Sequence, residues 1–124
     1  MVTVDYPRFL IEPTAGRHYF SNSTGLLLNC QASASATVYW VLASELTKIA
    51  AADSSRSGQD LKQFRLLSIT GLRHLPSNGS LHFPPFAASS LNPSIHSAAY
   101  KCVASNSAGT IVSRTVHVAA GTYR

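Results

Sequence analysis

Tyr100-Lys101-Cys102-Val103-Ala104-Ser105-Asn106-Ser107-Ala108-Gly109 is a strand running into a turn. Successive side chains of an extended chain point to opposite faces, so Tyr100, Cys102 and Ala104 share one face, with Lys101 and Val103 on the other. Asn106 and Gly109 are the residue types a tight reversal demands. Beyond them Val112, Val116 and Val118 resume a common face with Arg114. The same period recurs upstream. Leu26, Leu28 and Cys30 alternate with Leu27, Asn29 and Gln31; Val38, Trp40 and Leu42 alternate with Tyr39 and Val41; Leu81 and Phe83 flank His82. Turn formers separate these runs at Glu12-Pro13, Ser33 to Ser35, and Pro76-Ser77-Asn78-Gly79. Asn78-Gly79 predicts a type I′ hairpin joining Leu72–Leu75 to Ser80–Phe83, because both central residues tolerate positive φ. Short strands at regular spacing point to a β-sandwich or barrel.

Composition sets the limits. The 124 residues suit one compact domain, read here as residues 1–124 with a core at about 8–119. Hydrophobic residues at 45% exclude a disordered tail, and charged residues at 12% argue against a helix-rich domain with solvated Lys and Glu faces. No apolar run approaches the roughly 20 residues of a membrane span. The net charge of +5 is scattered, with no two basic residues adjacent. Nucleic-acid binding wants a stripe of cations, so it is not expected. Ser44 to Thr70 fits the pattern poorly: its end, Phe64 to Thr70, predicts an extra edge strand, and Ala51 to Asp60 a mobile loop. Ala87 to Leu91 suggests one helical turn stopped by Asn92-Pro93.

Cys30 and Cys102 each occupy the apolar face of a predicted strand, 72 residues apart, with Trp40 and Tyr100 facing the same way. A disulfide with an indole packed on it would tie two sheets face to face across about 10 Å. The alternative is two free buried thiols behaving as small hydrophobes. Mass spectrometry without reductant separates them.

Cys30, Trp40 and the run Y-x-C-x-A-x-N-x-x-G from Tyr100 to Gly109 resemble the immunoglobulin fold of intermediate type, the I-set. Phe20-Ser21-Asn22-Ser23-Thr24-Gly25, Gly71-Leu72-Arg73-His74-Leu75, Asn78-Gly79-Ser80-Leu81, Phe83-Pro84-Pro85-Phe86 and Ser113-Arg114-Thr115-Val116-His117-Val118 narrow this. Together they resemble the first immunoglobulin domain of the Down syndrome cell adhesion molecule (Dscam) family, over roughly Phe9 to Ala119. The resemblance implies an all-β immunoglobulin-like sandwich of two antiparallel sheets tied by one disulfide, Cys30 to Cys102. Trp40 becomes the core tryptophan and Tyr100 a tyrosine-corner residue. Strands A, B, D and E would form one sheet, and C, F, G and a C′ edge the other. The family pattern places Asp and Gly four and two residues before the F-strand Tyr; here His96 and Ala98 stand there.

Asn22-Ser23-Thr24 and Asn78-Gly79-Ser80 are N-glycosylation sequons, with Asn22 slightly favoured because the Asn78 side chain can serve its turn. Histidines 18, 74, 82, 96 and 117 form no metal-binding spacing, so no metal or cofactor is expected. No nucleophile elbow or recognisable carboxylate pair points to catalysis.

The expected function is that of a non-enzymatic extracellular adhesion and recognition module. By resemblance it is a fragment of a larger multidomain ectodomain of a plasma-membrane receptor in neuronal wiring and axon guidance. Its partners would be other immunoglobulin domains of that receptor and identical receptor copies on an opposing cell. Membrane contact would come only through the parent's anchor, and the isolated domain would be monomeric or weakly self-associating. The alternative is a glycan- or pathogen-binding immunoglobulin-type receptor domain using its basic surface, with Arg65 and Arg73 as candidates.

Overall fold

A computed structural model describes residues 5–33, 35–46 and 58–121. Nine strands carry the architecture: β1 (Phe9–Ile11), β2 (Gly16–Ser21), β3 (Leu26–Leu28), β4 (Gln31–Ala32), β5 (Thr37–Leu42), β6 (Leu81–Phe83), β7 (Ala99–Asn106), β8 (Gly109–Val112) and β9 (Val116–Gly121). They make an immunoglobulin-like sandwich, in whose lettering β1 and β2 are the two halves of strand A, β3 and β4 strand B, β5 strand C, the segment at His74 strand D, β6 strand E, β7 strand F, and β8 with β9 strand G. In the first layer β1 pairs with β4, β3 pairs with β6, and a bridge between His74 and His82 extends it by one strand position. In the second the order is β2-β9-β7-β5, with β8 also on β7.

The first strand is split between layers. Pro13 lacks an N–H to continue a ladder, and Gly16, at φ +102°, takes a backbone turn that L side chains resist. The chain therefore leaves β4 and crosses to β9. There β2 runs parallel to β9 from Gly16↔Val116 to Ser21↔Gly121, the one parallel pairing among the described residues.

The inward faces meet in one cluster around Leu28, Cys30, Trp40, Leu81, Phe83, Tyr100, Cys102, Val116 and Val118. The alternation predicted for β5 and β7 places Trp40 opposite Cys102 and Leu42 opposite Tyr100. Cys30 and Cys102 are joined by a disulfide between the layers, with Cα atoms 6.6 Å apart.

Three local expectations need correction. The Asn78-Gly79 turn is not type I′: among the described residues none but glycine has positive φ, and only Gly79 does here, at +92°. The two flanking segments meet in a single bridge, not a ladder. Phe64 to Thr70 is no edge strand either. Gly58–Phe64 winds as a 3₁₀ helix, and the following residues give β5 one backbone bond, Leu66 N–H to the Trp40 carbonyl at 2.9 Å. Leu61 and Phe64 stand three apart, a spacing that a 3₁₀ helix places on one side. The expected loop at Ala51 to Asp60 lies outside the described residues up to position 57, and its last residues open that helix. Finally, Asn92-Pro93 starts a helix as well as ending a turn. In α1 (Pro93–His96) the Asn92 side chain accepts from Ser94 N–H and proline occupies the first turn.

Candidate functional site

The framework residues form one connected unit. Trp40 is 1% exposed, and its indole N–H donates to the Gly79 carbonyl at 2.8 Å. This contact explains Gly79. A Cβ there would collide with the Cys30 carbonyl and press on Val38, so only glycine lets the D–E turn close over the disulfide strand and present its carbonyl to the indole. Tyr100 is fully buried, and its hydroxyl donates to the Ile95 carbonyl at 2.7 Å, tying β7 to α1. Burial pushes the Tyr100 phenol up, against the opposing pull of the Arg73 guanidinium.

His96, standing where the family pattern has Asp, is also fully buried. Its ring stacks on Phe86 at 4.0 Å, with Phe20 and Phe83 beside it. Its Nδ1 accepts from Asn92 N–H at 2.9 Å, and its Nε2 has no partner. Burial holds its pKa below the usual histidine value. An imidazole whose charged form burial disfavours thus stands at the position where the family pattern has Asp, stacked among aromatic rings.

Two polar residues flanking β8 matter beyond the expected turn, one at each of its ends. Asn106 Oδ1 accepts from Ala108 N–H at 2.8 Å and Gly109 N–H at 3.2 Å, building the reversal. Its Nδ2 donates to the Asp5 carbonyl at 2.7 Å and Ser35 Oγ at 3.2 Å, so one amide joins the N-terminal segment, the B–C loop and the F–G turn. Ser113, quoted above only within the run that carries the resemblance and given no role there, sits between β8 and β9. Its Oγ accepts from Cys102 N–H at 2.8 Å while its own N–H donates to the Cys102 carbonyl. A hydroxyl there substitutes for a missing rung of the ladder; a lone serine among many gave no signal.

The surfaces differ from one another. The outer face of β5 and β7 is not open: Tyr39, Val41 and Val103 are buried there beneath Leu61, with Leu46 and Phe64 alongside. Tyr39 Oη has no hydrogen-bond partner, and burial pushes its pKa up. The outer face of the first layer is open, with Leu10 and Leu27 more than half exposed. A cleft of about 300 Å³ runs along the free edge of β5, between Val38, Trp40, Leu66 and Gly79, and no acid or imidazole lines it. Among the described residues no three His, Cys, Asp or Glu side chains gather. Arg65 is exposed, but Arg73 Nε donates to the Leu67 carbonyl at 2.9 Å, so the two do not present a matched pair of free cations.

The sequons are set apart by geometry. Asn22 is 6% exposed and its amide nitrogen donates to the Phe86 carbonyl at 2.9 Å. Asn78 is exposed, and it is its oxygen, not its nitrogen, that the turn uses, accepting from Ser80 N–H at 3.0 Å.

No family model matches the chain. It is 41% identical over 116 residues to the cell adhesion molecule Dscam2 of Drosophila melanogaster and 37% identical over 116 residues to Dscam1 of the same fly. Human DSCAM is 32% identical over 103 residues. The fly matches cover 92% of this chain and 5% of theirs. In structure it superimposes on crystal structures of the N-terminal four immunoglobulin domains of Dscam1, isoforms 7.44 and 6.9. The TM-scores are 0.75 and 0.77 at 34% and 33% identity, over 95% and 98% of this chain but 26% and 27% of those. A structure addressing Dscam isoform specificity matches with a TM-score of 0.74. These homologues are cell adhesion molecules, and no helix among the described residues is long and apolar enough to cross a membrane.

Proposed function

Because this chain belongs to the immunoglobulin domains of the Dscam family, we propose that it is one non-enzymatic recognition domain of an extracellular, multidomain adhesion receptor. The observation that carries the reading is the match over 95% or more of this chain to about one quarter of a four-domain structure, the share a single domain would take. Its partners are companion domains of the same receptor and, through the assembled ectodomain, identical receptor copies on an opposing cell. The polar groups of Trp40, Tyr100, Asn106 and Ser113 are spent on holding the fold, which suits a recognition domain.

The isolated chain offers little for self-association, since the β5–β7 outer face is covered by its own 3₁₀ helix. Sedimentation of the isolated chain is expected to show a monomer at micromolar concentration. A sub-micromolar dimer would overturn this supporting role. Of the two sequons we assign the glycan to Asn78. In insect-cell material, Asn78→Gln should abolish the mass loss on enzymatic deglycosylation and Asn22→Gln should not.

A further inference from the structure

We propose that His74 and His82 form a two-imidazole chelating site for a divalent transition metal, on the outer face of the first layer. The spacing H-x₇-H matches no metal motif in sequence; the fold creates the pair. The two residues are directly opposed across the D–E bridge, exchanging both backbone bonds, His74 N–H to His82 carbonyl at 2.7 Å and the reverse at 2.9 Å. Opposed residues of an antiparallel pair project to the same face. Their rings lie 6.5 Å apart between centroids at an interplanar angle of 68°. Neither ring makes a hydrogen bond among the described residues, so a nitrogen of each is available as a ligand.

The reach is adequate. With metal–nitrogen distances of about 2.0–2.1 Å and a tetrahedral angle, two ring centroids stand about 5 Å apart. The observed separation of 6.5 Å exceeds this by about 1.5 Å, a change that side-chain torsion of the exposed His74 supplies without moving the bridge. Neutral imidazoles select zinc, nickel or copper over calcium or magnesium, which take oxygen ligands. No third acidic or thiol ligand stands close among the described residues, so water fills the remaining positions and the site is a half-set rather than a closed structural centre. A metal here would also clip together the D–E connection, which otherwise has one bridge. Binding to the folded chain alone raises its apparent stability.

The test uses the untagged chain and nickel(II) or zinc(II) chloride. The imidazole signals of His74 and His82 are expected to respond together in a magnetic resonance titration, ahead of those of His18, His96 and His117. The thermal midpoint should rise with metal. His74→Ala and His82→Gln should each weaken binding at least tenfold, with the fold verified by near-ultraviolet circular dichroism, while His117→Ala leaves it unchanged. Equal binding by the His74→Ala and wild-type chains, or no response at millimolar metal, would overturn the site.

Discussion

Strands β5 and β7 bury both of their faces, and the two burials are of different kinds. Inward, Trp40, Tyr100 and Cys102 meet the opposite layer through a disulfide, an indole bond to Gly79 and a phenol bond to Ile95. Every polar atom of those side chains is used. Outward, Tyr39, Val41 and Val103 are covered by Leu61 and Phe64 of a short 3₁₀ helix, and Tyr39 Oη is left without a partner. The first face is specified by directional contacts across the sandwich. The second is apolar cover supplied by a neighbouring segment, held by contact area and one backbone bond from Leu66 to Trp40.

The sharpest way to separate the faces is to remove the disulfide. Replacing Cys30 and Cys102 together with serine should lower unfolding stability by about 4 kcal/mol, since a 72-residue loop is no longer closed. Chemical denaturation measures this, and a loss comparable to that of any single outward residue would erase the contrast. Next in size, Leu61→Ala should cost about 2–3 kcal/mol as a cavity under the helix. It should also raise binding of a hydrophobic dye as Tyr39 and Val41 become exposed; an unchanged denaturation midpoint would show that the helix is not cover at all.

Smaller effects sharpen the comparison by sign. Tyr100→Phe should destabilise by about 1 kcal/mol, because the Ile95 carbonyl loses its donor. Tyr39→Phe should be neutral or stabilising by up to about 1 kcal/mol, because it deletes a buried hydroxyl that has no partner. Paired denaturation curves that moved in the same direction by the same amount would collapse the distinction. Least in size is a pH effect confined to the inner side. His96 is held neutral by burial, below its usual value of 6.5. As pH falls below about 6.5 the unfolded chain takes up a proton that the folded chain refuses, so stability declines from there downward and is flat above. A His96→Leu variant should lack that part of the decline between pH 7.5 and 5; identical slopes would assign it to other groups.

Much of the inner face was legible because strand parity is local. Once Cys102 is placed on one face, Tyr100 and Ala104 must follow, and the same rule links Trp40 to Leu42. The outer face was visible only in outline. The run Val38-Tyr39-Trp40-Val41-Leu42 is apolar at every position, the pattern of a strand buried on both sides. Alternation alone assigned Tyr39 and Val41 to the other side, and no expectation placed Leu61 over them. The i, i+3 spacing of Leu61 and Phe64 favoured a helical turn, but a propensity that weak is decided by what the residues pack on. Asn78-Gly79 misled for a related reason. Its glycine answers to the Cys30 backbone and the Trp40 indole, contacts 39 residues or more away in sequence, and not to the local geometry of a hairpin. The His74–His82 pairing was hidden likewise, since separation along a chain says little about separation across a bridge.

The parallel pairing of β2 with β9 has a mechanical consequence. The N-terminal segment is fastened at the F–G pole, where Asn106 holds Asp5, whereas β9 runs to the opposite pole at Gly121. A tension applied between the two poles pulls β2 and β9 past each other along their length. All six registered residue pairs then share the load at once, instead of parting one rung at a time. Should that ladder yield, the Cys30–Cys102 bond keeps the 72-residue loop from paying out. The domain is therefore built to bear a pull between its two ends with an extension that the disulfide bounds.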